Sequence, residues 1–388
     1  MNIIDGYCNS FKIKYLFLDK LFGDKLKIEK KGKKVVENIN IFISFESLYN
    51  VIRKTNIEES LKACNKKELQ NVYRNTISDF INIAAHYRAY FTRNKIHTNI
   101  IYYYNEIPEE NIEYNNSALI PNYRSHFIES LNGINRHTIN SLLSNIIPFM
   151  NIICEYIDGV YFVGTKRVES SLIPYIITTE NIFPSNMNII ITKDSYDYQY
   201  CNKNFLLISK YANDPIFLSK RNIIKFMKHK NKYKEKEDEV FDINSKLLTF
   251  ILAFLGDRKR SIKGIDRIGF SSIYKSLVSL YEIGYILEDD DNTMSIEYLS
   301  EVLNKINTKY SSDTEYKDKV LYNYRAFDLD YQYSVLSKAQ KSDILDQLKN
   351  KSDPDALIRL NDKYFEFYPL MLIELNQYNK NNDLIEYL

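Results

Sequence analysis

The sequence predicts an α/β protein whose central sheet is mostly parallel. Short apolar runs of strand length recur along its first half, and segments with helical spacing of apolar residues separate them. Strands that alternate with helices over about 150 residues are typical of a parallel sheet covered on both faces. Because ligands of such sheets bind at the carboxyl ends of the strands, the residues after each run are the first candidates for a site.

Four strands are predicted in chain order. The first lies in INIFISFESLYNVI, whose apolar core is 40–52 and which changes from strand to helical spacing along its length. The others are TNIIYYY (98–104), GVYFV (159–163) and NMNIIIT (186–192). Helical spacing predicts helices within 57–96, over 138–150, within 243–288 and over most of 295–388.

Composition excludes several classes of protein. The 388 residues include 52 Lys and Arg against 50 Asp and Glu, so any nucleic-acid footprint must be local. The four cysteines are scattered without a CxxC, which excludes a zinc ribbon and argues against a disulfide framework. No apolar run approaches the roughly 18–20 residues of a membrane span, and the N-terminus lacks a signal-peptide pattern. We therefore expect an intracellular protein without a membrane partner, and the bias toward Asn, Ile, Lys and Tyr suggests an AT-rich phage genome.

Two motifs follow the last predicted strand. The first, TKDSYDYQ (192–199), resembles the Thr-Gly-Asp-x-Asp-x-x-Gln pattern of the 5′-nuclease family, which includes flap endonucleases, 5′–3′ exonucleases and phage RNase H-type enzymes. The second, GDRKRSIKGIDRIG (256–269), aligns without a gap with that family's Gly-Asp-x-x-Asp-Asn-Ile-Pro-Gly-Val-x-Gly-Ile-Gly pattern. The resemblance covers roughly residues 38–290.

This resemblance implies a fold and a division of the chain. The fold is a PIN-like domain with a mostly parallel sheet, then a helical domain with a helix–hairpin–helix, then a C-terminal helical extension. The predicted boundaries are a lead-in (1–38), the PIN-like domain (39–240), the hairpin region (241–290) and the extension (291–388).

The resemblance also implies two-metal phosphodiester hydrolysis, in which carboxylates hold two divalent ions. Of the family's metal ligands, this sequence keeps acids at Glu169, Asp194 and Asp257. Other ligand positions fall at residues that are not acidic, among them Ser44, Tyr104 or Asn105, Ser171, Tyr196 and Arg260. Arg260 would place a fixed cation where a metal ion would lie, so we expect an eroded site with one metal ion or none. Acids near the strand ends that could be recruited instead are Glu46, Glu106, Asp158 and Asp197.

A local basic cluster is the second predicted site. Arg258, Lys259, Arg260, Lys263 and Arg267 lie within ten residues. The resemblance places them at a helix–hairpin–helix, where Gly264 and Gly269 keep the turn and backbone N–H groups hold a DNA phosphate, with K⁺ as a candidate bridging ion.

A second basic group lies where the family places a helical gateway over the active site. Its predicted DNA contacts are Arg88, Arg93, Lys95 and Arg124. The aromatic residues Tyr87, Tyr90 and Phe91 are suited to stacking an unpaired base, or else they are core residues of an amphipathic helix.

Three functions remain open from the sequence. The favoured hypothesis is a non-catalytic, 5′-nuclease-like component of phage-type replication, recombination or genome handling, which binds the DNA backbone and associates with phage replication or virion proteins. The first alternative is an active Mg²⁺- or Mn²⁺-dependent 5′–3′ exonuclease or flap endonuclease that uses Glu169, Asp194 and Asp257. The second is a structural or protein-interaction protein that reuses the fold.

Overall fold

A computed structural model describes the sheet, the helices around it and most of the region after residue 246. The described residues are 38–45, 84, 87–92, 95–105, 120, 147–148, 150–152, 154–155, 157–185, 187–203, 205–211, 214–233, 247–283 and 296–349. Outside them lie the predicted lead-in, the helix within 57–83, and Glu46, Arg93, Glu106 and Arg124.

A six-stranded sheet forms the centre of the molecule, in the order β3-β2-β1-β4-β5-β6. The strands are β1 (Asn38–Ser44), β2 (His97–Asn105), β3 (Val160–Thr165), β4 (Met187–Thr192), β5 (Leu206–Tyr211) and β6 (Asp214–Leu218). The first five run parallel, and β6 pairs antiparallel with β5. The predicted class, α/β with a mostly parallel sheet, is therefore confirmed, and β5 and β6 are strands that the sequence analysis missed.

Strand β1 lies inside the sheet, between β2 and β4, and its central residues are apolar and buried. Ile41 pairs with Ile100 of β2 on one side and with Ile189 of β4 on the other. All three side chains are fully buried, as expected for strands covered on both faces.

Helices cover the sheet and continue beyond it. They are α1 (Ile173–Thr179), α2 (Ile223–Lys230), α3 (Leu248–Leu255), α4 (Phe270–Glu282), α5 (Ile296–Ile306), α6 (Thr308–Ser312), α7 (Thr314–Phe327), α8 (Leu329–Ser334) and α9 (Lys338–Asp346). Three 3₁₀ segments lie at Ser170–Leu172, Ser195–Lys203 and Arg258–Arg260. None of the helices among the described residues combines the length and hydropathy that crossing a membrane requires.

Between α3 and α4 the chain forms a short antiparallel ribbon of β7 (Gly256–Asp257) and β8 (Ile262–Lys263). The Arg258–Arg260 3₁₀ segment connects the two strands. The helices predicted within 243–288 are α3 and α4, and the ribbon lies between them, where Gly256 and Ser261 adopt positive φ angles of 71° and 59°.

The C-terminal helices pack against the same end of the molecule as this ribbon. The Asn323 side-chain amide on α7 donates to the carbonyls of Ala253 (2.8 Å) and Lys263 (3.0 Å), which fixes the ribbon to the end of α3. The Tyr196 hydroxyl, after β4, donates to the carbonyl of Ala326 at 2.8 Å. Helix α7 therefore contacts the segment that follows β4 at the carboxyl end of the sheet.

Candidate functional site

The three acids kept from the family pattern converge at the carboxyl end of the sheet. Glu169 follows β3, Asp194 lies two residues after β4, and Asp257 ends β7. Their side chains are only 2%, 6% and 8% exposed. The structure thus brings together the three acids that the resemblance assigns to metal binding.

The guanidinium of Arg260 lies between these carboxylates. Nη1 is 2.8 Å from Asp257 Oδ2 and 3.0 Å from Asp194 Oδ1. Nη2 is 3.1 Å from Asp194 Oδ2 and 3.1 Å from Glu169 Oε1, and it also donates to Ser171 Oγ at 3.1 Å. The arginine side chain is 1% exposed, so it is a buried counter-ion shared by three acids.

An aromatic ring supports the guanidinium from one face. The guanidinium carbon lies 4.0 Å from the centre of the Tyr196 ring, a cation–π arrangement. Tyr196 and Arg260 both stand at positions where the family pattern has an acid, and in this fold they contact each other. Two departures from the pattern that look independent in the sequence therefore form one structural unit.

Two lysines add positive charge beside the carboxylates. Lys259 Nζ is 2.8 Å from Asp194 Oδ2, with its side chain 28% exposed. Burial alone would raise the pKa of Asp194, but the charges of Arg260 and Lys259 hold that pKa well below its usual range. Burial lowers the pKa of the half-buried Lys230, and the charges of Asp194 and Asp257 oppose that shift. Three carboxylates are thus balanced by two bound cations and a third nearby.

This donor set does not fit a divalent metal ion. Each of the three carboxylates already accepts hydrogen bonds from the guanidinium, and a metal ion would have to displace this buried cation, which the Tyr196 ring also contacts. Within the part of the chain that is described, no group of three or more His, Cys, Asp or Glu side chains is arranged to hold a metal ion. The residues that the resemblance assigns to metal binding are engaged as partners of Arg260.

Asp197 is a further buried acid beside the cluster. Its Oδ2 accepts from the Thr192 hydroxyl at 2.5 Å and from the Tyr103 hydroxyl at 3.2 Å. Burial, with a further contribution from Asp194, raises the pKa of Asp197 to about 7. Asp158 precedes β3 and lies at the opposite end of that strand from Glu169, so the idea that it could be recruited to the site is wrong.

The predicted DNA-contacting cluster divides into three environments. Arg258, Lys263 and Arg267 are exposed, whereas Lys259 is half-buried against Asp194. The prediction that Arg260 contacts DNA is wrong, because its guanidinium is buried in ion pairs and is not available to a phosphate.

The two glycines of the predicted hairpin turn also differ. A Cβ on Gly264 would lie 2.4 Å from the carbonyl oxygen of Leu255, so the ribbon approaches the end of α3 too closely for a side chain. A Cβ on Gly269 would meet no atom within 4 Å. The expectation that glycine keeps the turn is thus supported by the packing at Gly264, and no contact requires it at Gly269.

The predicted gateway residues are only partly described. Arg88 is half-buried and donates to the carbonyl of Asp158, while Lys95 is exposed. The side chains of Tyr87, Tyr90 and Phe91 are 3% exposed or less, so they are core residues and the base-stacking interpretation is wrong for them.

Comparisons with known proteins give structural similarity without close sequence similarity. No family model and no curated protein matches the chain. Among solved structures, the chain is similar to the 5′-exonuclease of T5 with bound zinc ions (TM-score 0.48, 12% identity, 81% of this chain and 99% of that chain). It is also similar to the flap endonuclease of bacteriophage T5 in a complex with DNA and metal ions (0.45, 13%, 82% and 100%). A third match is the catalytic core of Rad2 with a DNA substrate (0.38, 11%, 84% and 93%).

Proposed function

We propose that this chain is a 5′-nuclease-like protein that binds the DNA backbone and does not hydrolyse it. One observation carries the proposal: Arg260 is bound by Glu169, Asp194 and Asp257, the three acids that the family resemblance assigns to metal binding. In this reading the two-metal site is eroded and the cluster is structural.

The chemistry of the cluster argues against hydrolysis. Two-metal catalysis needs Lewis acids that activate water and stabilise the leaving oxygen. A guanidinium stays protonated and has no free coordination position, so it can donate hydrogen bonds but cannot generate hydroxide. With Arg260 1% exposed, a phosphodiester also has no route to the carboxylates in this arrangement.

The exposed basic residues support DNA binding. Arg258, Lys263 and Arg267 surround the ribbon that leads into α4, and they provide positive charge beside the buried cluster. Cations on a surface attract DNA phosphates and release counter-ions, which gives affinity that is independent of sequence and dependent on salt. We infer that this segment acts as the helix–hairpin–helix of the resemblance, with K⁺ as its candidate ion, within the domain boundaries stated from the sequence.

The biological setting is part of the same proposal. A DNA-binding protein without nuclease activity would act as a component of phage-type replication, recombination or genome handling in the host cell. It would associate there with replication or virion proteins.

The proposal is tested by measuring binding and cleavage on one set of substrates. End-labelled 5′-flap and 5′-overhang duplexes are incubated with the protein at low salt in EDTA, Mg²⁺ or Mn²⁺. Binding is followed by fluorescence anisotropy, and cleavage is followed on denaturing gels. We expect salt-sensitive binding in all three buffers and no cleavage in any of them.

Two variants make the result interpretable. The Asp194→Asn/Asp257→Asn variant, checked for folding by circular dichroism, reports whether any cleavage comes from this cluster. Asp266→Asn changes an exposed acid of the same segment and serves as the matched control. Cleavage by the wild type and by Asp266→Asn that disappears in the double variant would establish the active-nuclease alternative. If the protein neither binds nor cleaves these substrates, the protein-interaction alternative is favoured.

A further inference from the structure

We propose that Arg260 is a built-in replacement for a divalent cation, and that removing its side chain uncovers a carboxylate site for a hard divalent ion such as Mg²⁺ or Mn²⁺. The inference rests on the proposed function, because it takes the wild-type cluster to be independent of metal ions. It goes further in two respects. The cluster requires one central cation, and a divalent ion can take the place of the Arg260 guanidinium when that side chain is removed.

The cluster is arranged around a single positive group. Three carboxylates from segments far apart in the sequence converge on one positive group, with N–O distances of 2.8 to 3.1 Å. The Ser171 hydroxyl adds a fourth oxygen at 3.1 Å from the same guanidinium. If the guanidinium were absent, these oxygens would line a polar space, and water could supply the remaining ligands that Mg²⁺ or Mn²⁺ needs.

The charge balance explains why a central cation is needed. Without Arg260, Glu169, Asp194 and Asp257 would share a buried region with Lys259, whose ammonium group lies 2.8 Å from Asp194 Oδ2 and whose backbone N–H donates to Asp257 Oδ1. Buried like charges close together are strongly unfavourable, and a divalent ion would relieve them. With Arg260 present, a divalent ion would add a large excess of positive charge. The same three acids should therefore exclude metal ions in the wild type and bind them in a variant without the arginine.

The surroundings of Arg260 fit a permanent counter-ion. The ring of Tyr196 covers one face of the guanidinium at 4.0 Å, and its hydroxyl is fixed by the carbonyl of Ala326. A ring face stabilises a cation but offers no ligand to a metal ion, so Tyr196 favours the guanidinium specifically. The alternative is an ordinary buried ion-pair network without affinity for any free cation, and the two readings differ in whether metal ions rescue an Arg260 variant.

The test compares three proteins: wild type, Arg260→Ala and Arg260→Lys. Their thermal unfolding is followed in EDTA and in 10 mM Mg²⁺, Mn²⁺ or Ca²⁺. We expect Arg260→Ala to unfold at a lower temperature in EDTA and to gain at least about 5 °C in Mn²⁺, as a ligand present at many times its dissociation constant would produce. The wild type and Arg260→Lys, which keeps a cation at this position, should change by less than about 1 °C.

Terbium luminescence gives a second readout of the same site. Tyr196 lies against the cluster and the chain has no Trp, so a Tb³⁺ ion bound there should be sensitised by tyrosine excitation. We expect saturable luminescence with Arg260→Ala that Mn²⁺ displaces and that Asp257→Asn added to Arg260→Ala weakens. The wild type should not show this saturable signal.

A folding defect does not make the test uninformative. If Arg260→Ala is unfolded in EDTA, it is refolded from urea in EDTA or in Mn²⁺, and Arg260→Gln is treated in the same way because it retains a neutral hydrogen-bonding group. Recovery of native circular dichroism in Mn²⁺ alone supports the proposal. Equal recovery in both buffers, no recovery in either, or a metal-induced gain in the wild type as large as in the variant would overturn it. The DNA-binding experiment on the wild type in EDTA is unaffected by these outcomes, so the failure of one proposal is distinguishable from the failure of the other.

Discussion

Two neighbouring regions of one short segment differ sharply in how they use positive charge. In the carboxylate cluster, Arg260 is buried and its charge is consumed by three acids. On the ribbon a few residues away, Lys263 and Arg267 are exposed. A surface suited to DNA and a centre suited to hydrolysis are therefore separable, because three acids neutralise the buried Arg260 while Lys263 and Arg267 keep their positive charge at the surface.

The largest expected effect is the loss of the central cation. Arg260→Ala leaves buried carboxylates without their main partner, and removing one member of a buried ion pair typically costs about 3–5 kcal/mol of unfolding free energy. Urea denaturation in EDTA measures it. Arg258→Ala removes an exposed cation two residues away and should change stability by less than about 0.5 kcal/mol. Similar losses in the two variants would contradict the difference drawn between the two regions.

The second effect is a loss of stability from disturbing the close contact between the end of α3 and the ribbon. Gly264→Ala places a Cβ against the backbone of Leu255, and overpacking of this kind costs about 1–3 kcal/mol. Gly269→Ala is the matched control, since open space surrounds that position and the change should be within about 0.5 kcal/mol. The two variants are compared by chemical denaturation, and equal stabilities would show that the ribbon does not need its close approach to α3.

The third effect is on DNA binding and leaves stability unchanged. If Lys263 and Arg267 each contact a phosphate, changing both to Ala should lower the slope of log affinity against log salt by about 1.8 in duplex DNA. Lys259→Ala is informative beside it, because Lys259 is bound to Asp194 and should contribute less to the slope. Anisotropy titrations at several salt concentrations measure both slopes. An unchanged slope in the double variant would remove the ribbon from the DNA interface.

The last expected effect is a dependence of stability on pH. The pKa of Asp197 is raised to about 7 by burial, so the folded state holds its proton more tightly than the unfolded state, whose pKa is about 3.9. The stabilising contribution of the protonated form is complete below about pH 4 and is lost as pH rises toward 7. Asp197→Asn should therefore be stabilised relative to the wild type more at pH 8 than at pH 5. Equal differences at both pH values in urea denaturation would contradict the raised pKa.

The fold could be predicted from the sequence where burial is continuous. Runs such as TNIIYYY and NMNIIIT are apolar at nearly every position, which is the pattern of strands covered on both faces. Strand β5 carries Ser209 and Lys210, and the five-residue β6 carries Asp214 and Pro215. This more polar pattern explains why the two strands were missed.

The sequence predicted which acids belong to the candidate site, but not which cation they contact. Glu169, Asp194 and Asp257 were identified from the family pattern, and the structure brings them together. The sequence does not distinguish Arg258, Lys259 and Arg260, three consecutive cations that prove to be exposed, half-buried and buried. Only the turn of the 3₁₀ segment determines which one points inward, and only the fold places Tyr196 beside it.

The most direct test of the account is to locate cations in crystals of the wild-type protein grown with Mn²⁺. Data collected at a wavelength where manganese scatters anomalously would show any ion bound by Glu169, Asp194 or Asp257. The account predicts no anomalous peak within the cluster and density for the Arg260 guanidinium between the three carboxylates. A manganese peak about 2.0–2.3 Å from two or more of these carboxylates, with Arg260 displaced, would contradict it.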